Sequence, residues 1–434
     1  MNCYSPPDIN YVFKYRTAMN PDLPVILKRD QHPISRRQID EDCLKVLYRL
    51  HRHGFRSYLV GGSVRDLLLG RTPKDFDIAT DATPNQIKRL FRNCFLVGRR
   101  FRLAHIRFAG NKVIEVATFR REVTAGELPE DPDDHLHFVQ NLFGTPAEDA
   151  YRRDFTINAL FYNIGDFSVI DHVGGLADLK QQKIRVIGDP VIRFVEDPVR
   201  MLRAIEFAAR LDFTLCDNII PAIDQHKELL ATAAPARVRE EIMALFRYGI
   251  AAPVLHQCRE LGMLPHLLAG YPGSDEGIAM LAQVDARTRS SISIDESFAL
   301  AALYLRLFMD SCQPGRSTPI TTALQSANDI LTPHCRYFSI AAGIRLQARD
   351  LLIGCFRLVR GRGQRGEQKF LRHPTTATAL ELFTLWTKVR PDLLPLLQEW
   401  NSAIISPGKP VEAPVRRKRR RPKKKPAPTM KNHT

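Results

Sequence analysis

The run SYLVGGSVRDLLLGRTPKDFDIAT, residues 57–80, constrains this chain more than any other stretch. Residues 57–60 read as a short strand that runs into Gly61-Gly62. Val64 to Leu69 then read as a helix stopped by Gly70, and residues 75–80 as a second strand. Two glycines between a strand and a helix let the backbone come close to an anion, and the helix N-terminus offers unpaired N–H groups to a phosphate. In a strand, residues i and i+2 project to one face, so Asp75 and Asp77 present two carboxylates side by side. Such a pair repels itself unless a cation intervenes. Mg²⁺, a hard ion that takes oxygen ligands and also binds nucleotide phosphates, suits the pair. Taken singly, a Gly-Gly is usually a turn and an Asp-x-Asp a solvated loop edge. The strand–Gly-Gly–helix–strand order, with Arg65 on the helix, makes them a candidate site.

The rest of the pattern places this unit in an α+β fold. With 434 residues, 44% of them hydrophobic, there is room for two or three domains with real cores, and wholesale disorder or a collagen-like architecture is excluded. Leu44, Val46, Leu47 and Leu50 mark one face of a helix over 40–53, and a second amphipathic helix covers 85–91. A hairpin follows, with strands near 105–108 and 113–119 joined at Gly110-Asn111. Residues 122–151 are acidic, rich in Pro and Gly and without period, and read as a mobile excursion. Regular structure returns at FTINALFYNI (155–164) and FSVID (167–171). From Pro198 onward the pattern is helical, beginning with the stripe Met201, Leu202, Ile205, Ala208, Ala209 and Leu211. The expected layout is a flexible arm (1–35), a small mixed-sheet catalytic head (36–170), a helical neck with a base-recognition helix (171–260), an elongated all-helical, RNA-binding body (261–405) and a disordered basic tail (406–434).

Charge and cysteine usage narrow the partners. The formal net charge is +16, and residues 409–431 carry eleven Lys or Arg against one acid, so most of the excess sits in the tail. A polyanionic partner is the first expectation. Eight scattered cysteines without a CxxC read as reduced, mostly buried thiols of a cytosolic protein. The N-terminus lacks a signal-peptide core, and no window approaches 18 uninterrupted apolar residues, so a cytoplasmic protein without a membrane span is expected.

The segment LVGGSVRDLLLGRTPKDFDIAT (59–80) resembles the signature of class II nucleotidyltransferases, the family of bacterial tRNA CCA-adding enzymes and poly(A) polymerases. YRRDFTINAL (151–160), VGGLADLKQQKIRVIGDP (173–190) and RFVEDPVRMLRAIEFAARL (193–211) resemble further motifs of that family in order. The resemblance implies a five-stranded nucleotidyltransferase head with helical segments behind it, ATP as substrate and Mg²⁺ as cofactor. It implies that Asp75 and Asp77 hold the metals, with Gly61, Gly62 and Arg65 at the triphosphate. For a third carboxylate two residues compete: Asp154, which matches an acid of the family's Arg-Arg-Asp-Phe motif and is taken as catalytic, and Glu115, a metal-ligand candidate in the strand VIEVATF. The bland readings are a solvated glutamate for Glu115, and for Asp154 an N-cap or a salt bridge to Arg152 or Arg153.

Base choice, by the same resemblance, lies in Asp197, Arg200 and Arg203, with Arg152 or Arg153 on the ribose and phosphates. Adenine's edge offers a 6-amino donor and an N1 acceptor, which a carboxylate and a guanidinium complement. Asp197 before Pro198 is also a good helix N-cap. Glu206 stands where relatives usually carry Arg, which puts a basic contact late in this helix in doubt. LVGRRFRLAHI (96–106), NLFGTPAEDAYRRDF (141–155) and RDQHPISRRQID (29–40) look like the poly(A) branch, whose members accept many RNA 3′ ends. Sequence-independent phosphate contacts suit that task. Arg99, Arg100 and the tail residues Arg416, Arg417, Lys418, Arg419, Arg420, Arg421, Lys423, Lys424 and Lys425 are the expected RNA contacts, with a plain solubility tail as the bland reading. His135 and His137 resemble a metal pair but read as a solvated loop. The expectation is a template-independent adenylyltransferase acting on RNA 3′ ends, with RNA-degradation or RNA-chaperone proteins as further partners. The alternatives are tRNA CCA addition and a catalytically silent RNA-binding protein.

Overall fold

A computed structural model of the chain describes residues 24–98, 103–121, 142–315 and 317–405. Its head is one mixed sheet of eight strands: β1 (Val25–Leu27), β2 (Ser57–Val60), β3 (Asp77–Thr80), β4 (Cys94–Val97), β5 (Leu103–Arg107), β6 (Val113–Thr118), β7 (Leu160–Asn163) and β8 (Val169–Asp171). The order across the sheet is β1-β8-β7-β2-β3-β6-β5-β4, where β3 and β6 run parallel and every other pair antiparallel. The family resemblance had implied five strands. The extra edge arises partly because residues 24–35, expected in a loose arm, fold onto the head: β1 pairs with β8, Ile34 is fully buried, and His32 Nε2 lies 2.8 Å from the Phe167 carbonyl oxygen.

All four residues of β2 are buried because both faces of the sheet are covered. Leu59, Ile78, Leu160 and Tyr162 pack on one face with helix α1 (Glu41–Arg52), whose Cys43, Val46, Leu47 and Leu50 point inward. Tyr58, Val60, Ala79, Phe119 and Phe161 form the other face. Burying one such ring contributes about 2–3 kcal/mol. The Asp40 carboxylate caps α1 by accepting from the Asp42 and Cys43 N–H groups at 2.9 and 3.1 Å.

Helix α2 (Gly62–Leu68) leaves β2 through Gly61, whose φ of 73° favours glycine. Helix α3 (Pro84–Leu90) opens with a Thr83/Gln86 capping box. Within the stretch expected to be a mobile excursion, Pro146–Tyr151 is a helix (α4), held by a capping box between Thr145 and Glu148. A local cap outweighs the weak apolar period there.

The second glycine pair, Gly174-Gly175, opens α5 (Gly175–Gln181). The Asp171 carboxylate accepts from the N–H groups of Val173, Gly174, Gly175 and Leu176 at 2.9–3.0 Å. A Cβ at Gly175 would stand 2.2 Å from the Thr156 carbonyl oxygen, so only glycine fits. The short parallel pair β9 (Lys183–Ile184) and β10 (Thr214–Leu215) brackets α6 (Pro190–Glu196) and α7 (Val199–Leu211).

Helices α8 (Ile219–His226), α9 (Pro235–Tyr248), α10 (Ala251–Glu260), α11 (Leu264–Leu267) and α12 (Asp275–Arg289) continue the chain. Helix α13 (Glu296–Cys312) is buried almost all round and is the axis of the body, as its continuous apolar sequence requires. Around it lie α14 (Ile320–Tyr337), α15 (Ala342–Val359), α16 (Glu367–Leu371), α17 (Thr376–Thr387) and α18 (Leu394–Ile405). One hydrophobic cluster runs without a break from the head's α1 face into this body. The seven described cysteines are all free and buried, and no described helix is long and apolar enough to cross a membrane. Residues 1–23, Arg99, Arg100, His135, His137 and the tail from 406 lie outside the described residues.

Candidate active site

A pocket of about 650 Å³ opens between head and neck, within the range that takes a nucleotide. Its head wall is built from the Gly61-Gly62 turn, Asp75, Asp77, Arg153 and Asp154, and its neck wall from Asp197, Arg200, Arg203, Phe207 and Arg210. Strand β3 starts at Asp77, so Asp75 stands just before it, not within it. Both carboxylates nonetheless face the same space. Asp77 lies where the Tyr58–Phe161 cluster runs out, two residues before the buried Ala79 on the same sheet face. Glu115, which does not line the pocket, sits opposite Asp77 in the parallel β3–β6 register, and His105 Nε2 is 3.4 Å from its carboxylate. Asp77 is exposed to the pocket, yet the surrounding protein takes water from its carboxyl, and with the Glu115 and Asp75 charges beside it, against the pull of Arg153, that carboxyl is pushed up to about 6.

That accumulated negative charge, on oxygen donors alone, fits a hard divalent cation. Among the described residues no preassembled group of three metal-ligating side chains is found, so the acid set is a pair with Glu115 adjoining.

The Gly61 turn is tight against its surroundings: a Cβ there would stand 3.2 Å from Arg153 Nη1. Arg65 is buried under this turn. Its guanidinium donates to Asp66 Oδ1 at 2.8 Å through Nε and to Asn158 Oδ1 at 2.6 Å through Nη1. Arg153 pairs with Asp149 and donates to the Asn158 carbonyl oxygen at 3.2 Å. Arg152 does not line the pocket; its carbonyl and that of Arg153 both accept from Arg193 Nη2 at 2.8 Å.

Asp154 is fully engaged. Oδ2 accepts from Arg203 Nε and Nη2 at 2.9 and 2.7 Å, and Oδ1 from the Phe155 N–H at 2.8 Å and Asn158 Nδ2 at 3.2 Å. Burial alone would raise this carboxyl, but the Arg203 guanidinium and the hydrogen bonds hold it below the usual carboxylate range. Arg203 also donates to Glu241 Oε1 at 2.9 Å, so head and neck are joined by an Asp154–Arg203–Glu241 chain. Its bland reading as a partner of Arg152 or Arg153 is replaced by this longer link.

Asp197 does not cap α7, whose start carries no side-chain cap. Its two oxygens accept from Arg237 Nη1 and Nη2 of α9 at 3.0 and 2.9 Å. Arg200 donates to the Arg193 carbonyl oxygen and to Glu196, and its Nε is 4.0 Å from Asp197. The departure at Glu206 is buried and forms a 3.0 Å ion pair with Arg210, so the basic group late in α7 is Arg210 itself. Burial pushes the Glu206 carboxyl up, against the pull of Arg210 and Arg203.

Several wall residues escaped the sequence reading. The Phe207 ring is faced by the guanidinium carbons of Arg65, Arg203 and Arg210 at 5.3, 5.1 and 4.7 Å, which lets three like charges gather on one aromatic. Spacing holds a trace of this, since Arg203, Phe207 and Arg210 fall on one helical face. Arg71 donates to the Arg210 and Leu211 carbonyl oxygens at 3.2 and 3.4 Å, and Lys74 lies 5.5 Å from the Tyr248 ring. The loop that carries Asp75 is thereby fastened to the neck. Nothing local in the sequence points to Arg237 or Tyr248.

Residues 57–185 match the family model described as the poly(A) polymerase head domain, and residues 212–276 the one described as a probable RNA and SrmB-binding site of polymerase A. Poly(A) polymerase I of Salmonella typhi is 39% identical over 92% of each chain. The CCA-adding enzyme of Lactobacillus gasseri is 37% identical, over 61% of this chain and 64% of its own. A solved tRNA nucleotidyltransferase, complexed with a primer tRNA and an incoming ATP analog, superposes with a TM-score of 0.58 at 27% identity, covering 83% of this chain and all of that one. With the mixed-sheet head, the glycine turn and the paired aspartates in place, the chain belongs to the bacterial poly(A) polymerase I family of nucleotidyltransferases.

Proposed function

We propose that this protein adds AMP from ATP to RNA 3′ ends without a template, in the cytoplasm, as a step in mRNA processing and turnover. The observation that carries the reading is the convergence on one pocket of the Gly61-Gly62 turn, the Asp75/Asp77 pair, Asp197 at the end of α6, and Arg200 and Arg203 of α7. The preference for ATP over tRNA-restricted CTP and ATP addition is supported by the extent of likeness, 92% of the chain for the poly(A) relative against 61% for the CCA-adding one.

In this reading the RNA 3′-oxygen forms a bond to the α-phosphorus of ATP. The bond to the β-phosphate bridging oxygen breaks, pyrophosphate leaves with that electron pair, and the hydroxyl proton passes to solvent. Asp75 and Asp77, with Glu115 beside them, would hold Mg²⁺, which supplies charge neutralisation at the phosphates and acidifies the attacking hydroxyl. The glycine turn lets the triphosphate approach the backbone, and Arg153 beside it meets the ribose or phosphates. Asp197 accepts from the adenine 6-amino group, for which it must share or release Arg237, and Arg200 donates to N1. Asp154 acts through Arg203, whose orientation it holds. Rate acceleration then comes mainly from positioning and from charges set in advance.

The test is incorporation of labelled ATP alone and CTP alone into a generic RNA and into a tRNA lacking its CCA end. Long ATP-derived tails on the generic RNA are expected; CTP addition confined to the tRNA would refute the assignment. Asp75→Asn and Asp77→Asn should each abolish transfer while RNA binding is retained. RNA-degradation or RNA-chaperone partners are proposed for residues 212–276, supported by the match of that segment to a model described as binding RNA and SrmB.

A further inference from the structure

Several arginines of the helical body are neutralised by a carboxylate: Arg287 by Glu381, Arg306 by Glu276 and Arg362 by Glu367, at 2.5–2.9 Å. Arg357 is not. It is half-buried, and among the described residues it has no ion pair and no hydrogen bond; its guanidinium carbon lies 5.8 Å from the centre of the Phe370 ring. Burial and the neighbouring Arg360 both push its guanidinium down, the signature of a cation without a counter-charge.

This residue opens into a cleft of about 350 Å³ that shares no lining residue with the nucleotide pocket and is built wholly within the body. Arg349, Ile353 and Arg357 recur every four residues along α15 and form its floor. Lys369 of α16 and His373 of the following turn, both exposed, form its rim. Gly354 lets α17 close in behind, since a Cβ there would stand 2.4 Å from the Ala379 Cβ. The only acid in the cleft, Asp350, is paired with Arg349 at 2.9 Å, which leaves Arg357 and Lys369 uncompensated. Phe370 packs edge-on against Trp400 at 5.9 Å, so the ring beside Arg357 is itself held in place.

We infer that the α15–α16 cleft is a phosphate-binding subsite that grips the backbone of the RNA substrate upstream of its 3′ end, with Arg357 as the anchor and Lys369 as the rim contact. The ligand class follows from the lining. Uncompensated cations, one of them a half-buried guanidinium, recognise a phosphodiester. The Phe370 ring is already faced by Arg357, which leaves only the small imidazole of His373 on the rim as a surface for a base. It therefore reads charge and not sequence, as a tailing enzyme acting on varied 3′ ends requires. A body subsite also keeps hold of the strand while the 3′ end advances through the pocket.

The inference rests on RNA being the substrate, and its test separates the two. Binding of the full chain to a long and to a short fluorescent oligoadenylate is measured across a KCl series for wild type, Arg357→Ala, Arg357→Lys and Lys369→Glu. Loss of one phosphate contact from a single strand should lower the slope of log K against log salt by about 0.7, or about five-fold in affinity near 0.1 M salt. Arg357→Ala and Lys369→Glu should show this on the long strand and leave the short strand and the KM for ATP unchanged, and Arg357→Lys should restore most of the slope. Lys369 is exposed, so its variant reports even if truncating Arg357 loosens the body. An unchanged slope in both variants overturns the inference. So does a loss of inorganic phosphate or ATP binding by equilibrium dialysis with RNA affinity unchanged, which would assign the cleft to a free anion. Absence of transfer to any RNA would instead strike the proposed function, and is read in the same wild-type control.

Discussion

Replacing Asp154 by Asn should damage stability and ATP binding together, whereas Glu115→Gln should damage turnover alone. The structure supplies the magnitudes. Asp154 accepts two hydrogen bonds from Arg203, and their side chains are 16% and 28% exposed. Removing one member of a buried pair costs about 3–5 kcal/mol when the other is left uncompensated. Here Arg203 keeps Glu241 at 2.9 Å and is partly solvated, so a loss of about 2–3 kcal/mol is expected. Glu115 is 49% exposed and its nearest partner is a histidine at 3.4 Å, so Glu115→Gln should stay within about 0.5 kcal/mol of wild type. Urea unfolding read by tryptophan fluorescence and by circular dichroism gives the stabilities, and steady-state AMP incorporation gives kcat and KM. Asp154→Asn should raise the KM for ATP roughly ten-fold through a freed Arg203, while Glu115→Gln should lower kcat by about 100-fold with KM nearly unmoved. If Asp154→Asn is as stable as wild type and loses only kcat, Asp154 is a reacting group and the positioning role is wrong.

Three further outcomes concern the Asp75 loop, a buried histidine of the body and the basic tail. Arg71→Ala removes the side-chain link from the Asp75 loop to the last carbonyls of α7, and kcat/KM for ATP should fall about five- to ten-fold with little change in unfolding midpoint; unchanged kinetics would show that the loop holds itself. Burial, with Arg239 nearby, pushes the buried His334 down to about 4 from its ordinary 6.5. The unfolded chain therefore binds the proton first, and native stability is lost as pH falls from 6.5 toward 4, by roughly 2 kcal/mol at about pH 5; a pH-stability curve no flatter in His334→Gln than in wild type would contradict this. Removing residues 409–434 should weaken RNA binding and flatten its salt dependence, measured by anisotropy over a KCl series, and an unaltered slope would reduce the tail to a solubility element.

Local chemistry was legible where a residue's role depends on its chain neighbours. The β2–Gly61-Gly62–α2 passage, the stripe of α7 and the β5–β6 hairpin were all readable from spacing and turn residues. So were Asp75 and Asp77, two positions apart and bound to share a neighbourhood. The eight-stranded extent of the sheet was not readable, because β1 is three residues long and gains its place only by pairing with β8 across more than a hundred residues. The helix at 146–151 was missed for the opposite reason: its signal is a four-residue cap inside a stretch without period.

At the site, residue types and periodicity determined which charged groups exist and on which helical face they stand. They left open which acid each arginine takes. That choice belongs to long-range packing: Arg203 reaches Asp154 and Glu241 from 49 and 38 positions away, and Arg237 claims Asp197 from 40. Asp154, enclosed with Arg203, is committed to it, because parting them would leave an unpaired charge in a poorly solvated place, whereas Arg237 is 55% exposed and can release Asp197. Asp77, beside Glu115 and with no such partner, stays available to a cation. In the proposed reading, the difference between an acid that positions and one that holds the metal lies in contacts between residues far apart in the chain, which no local pattern displays.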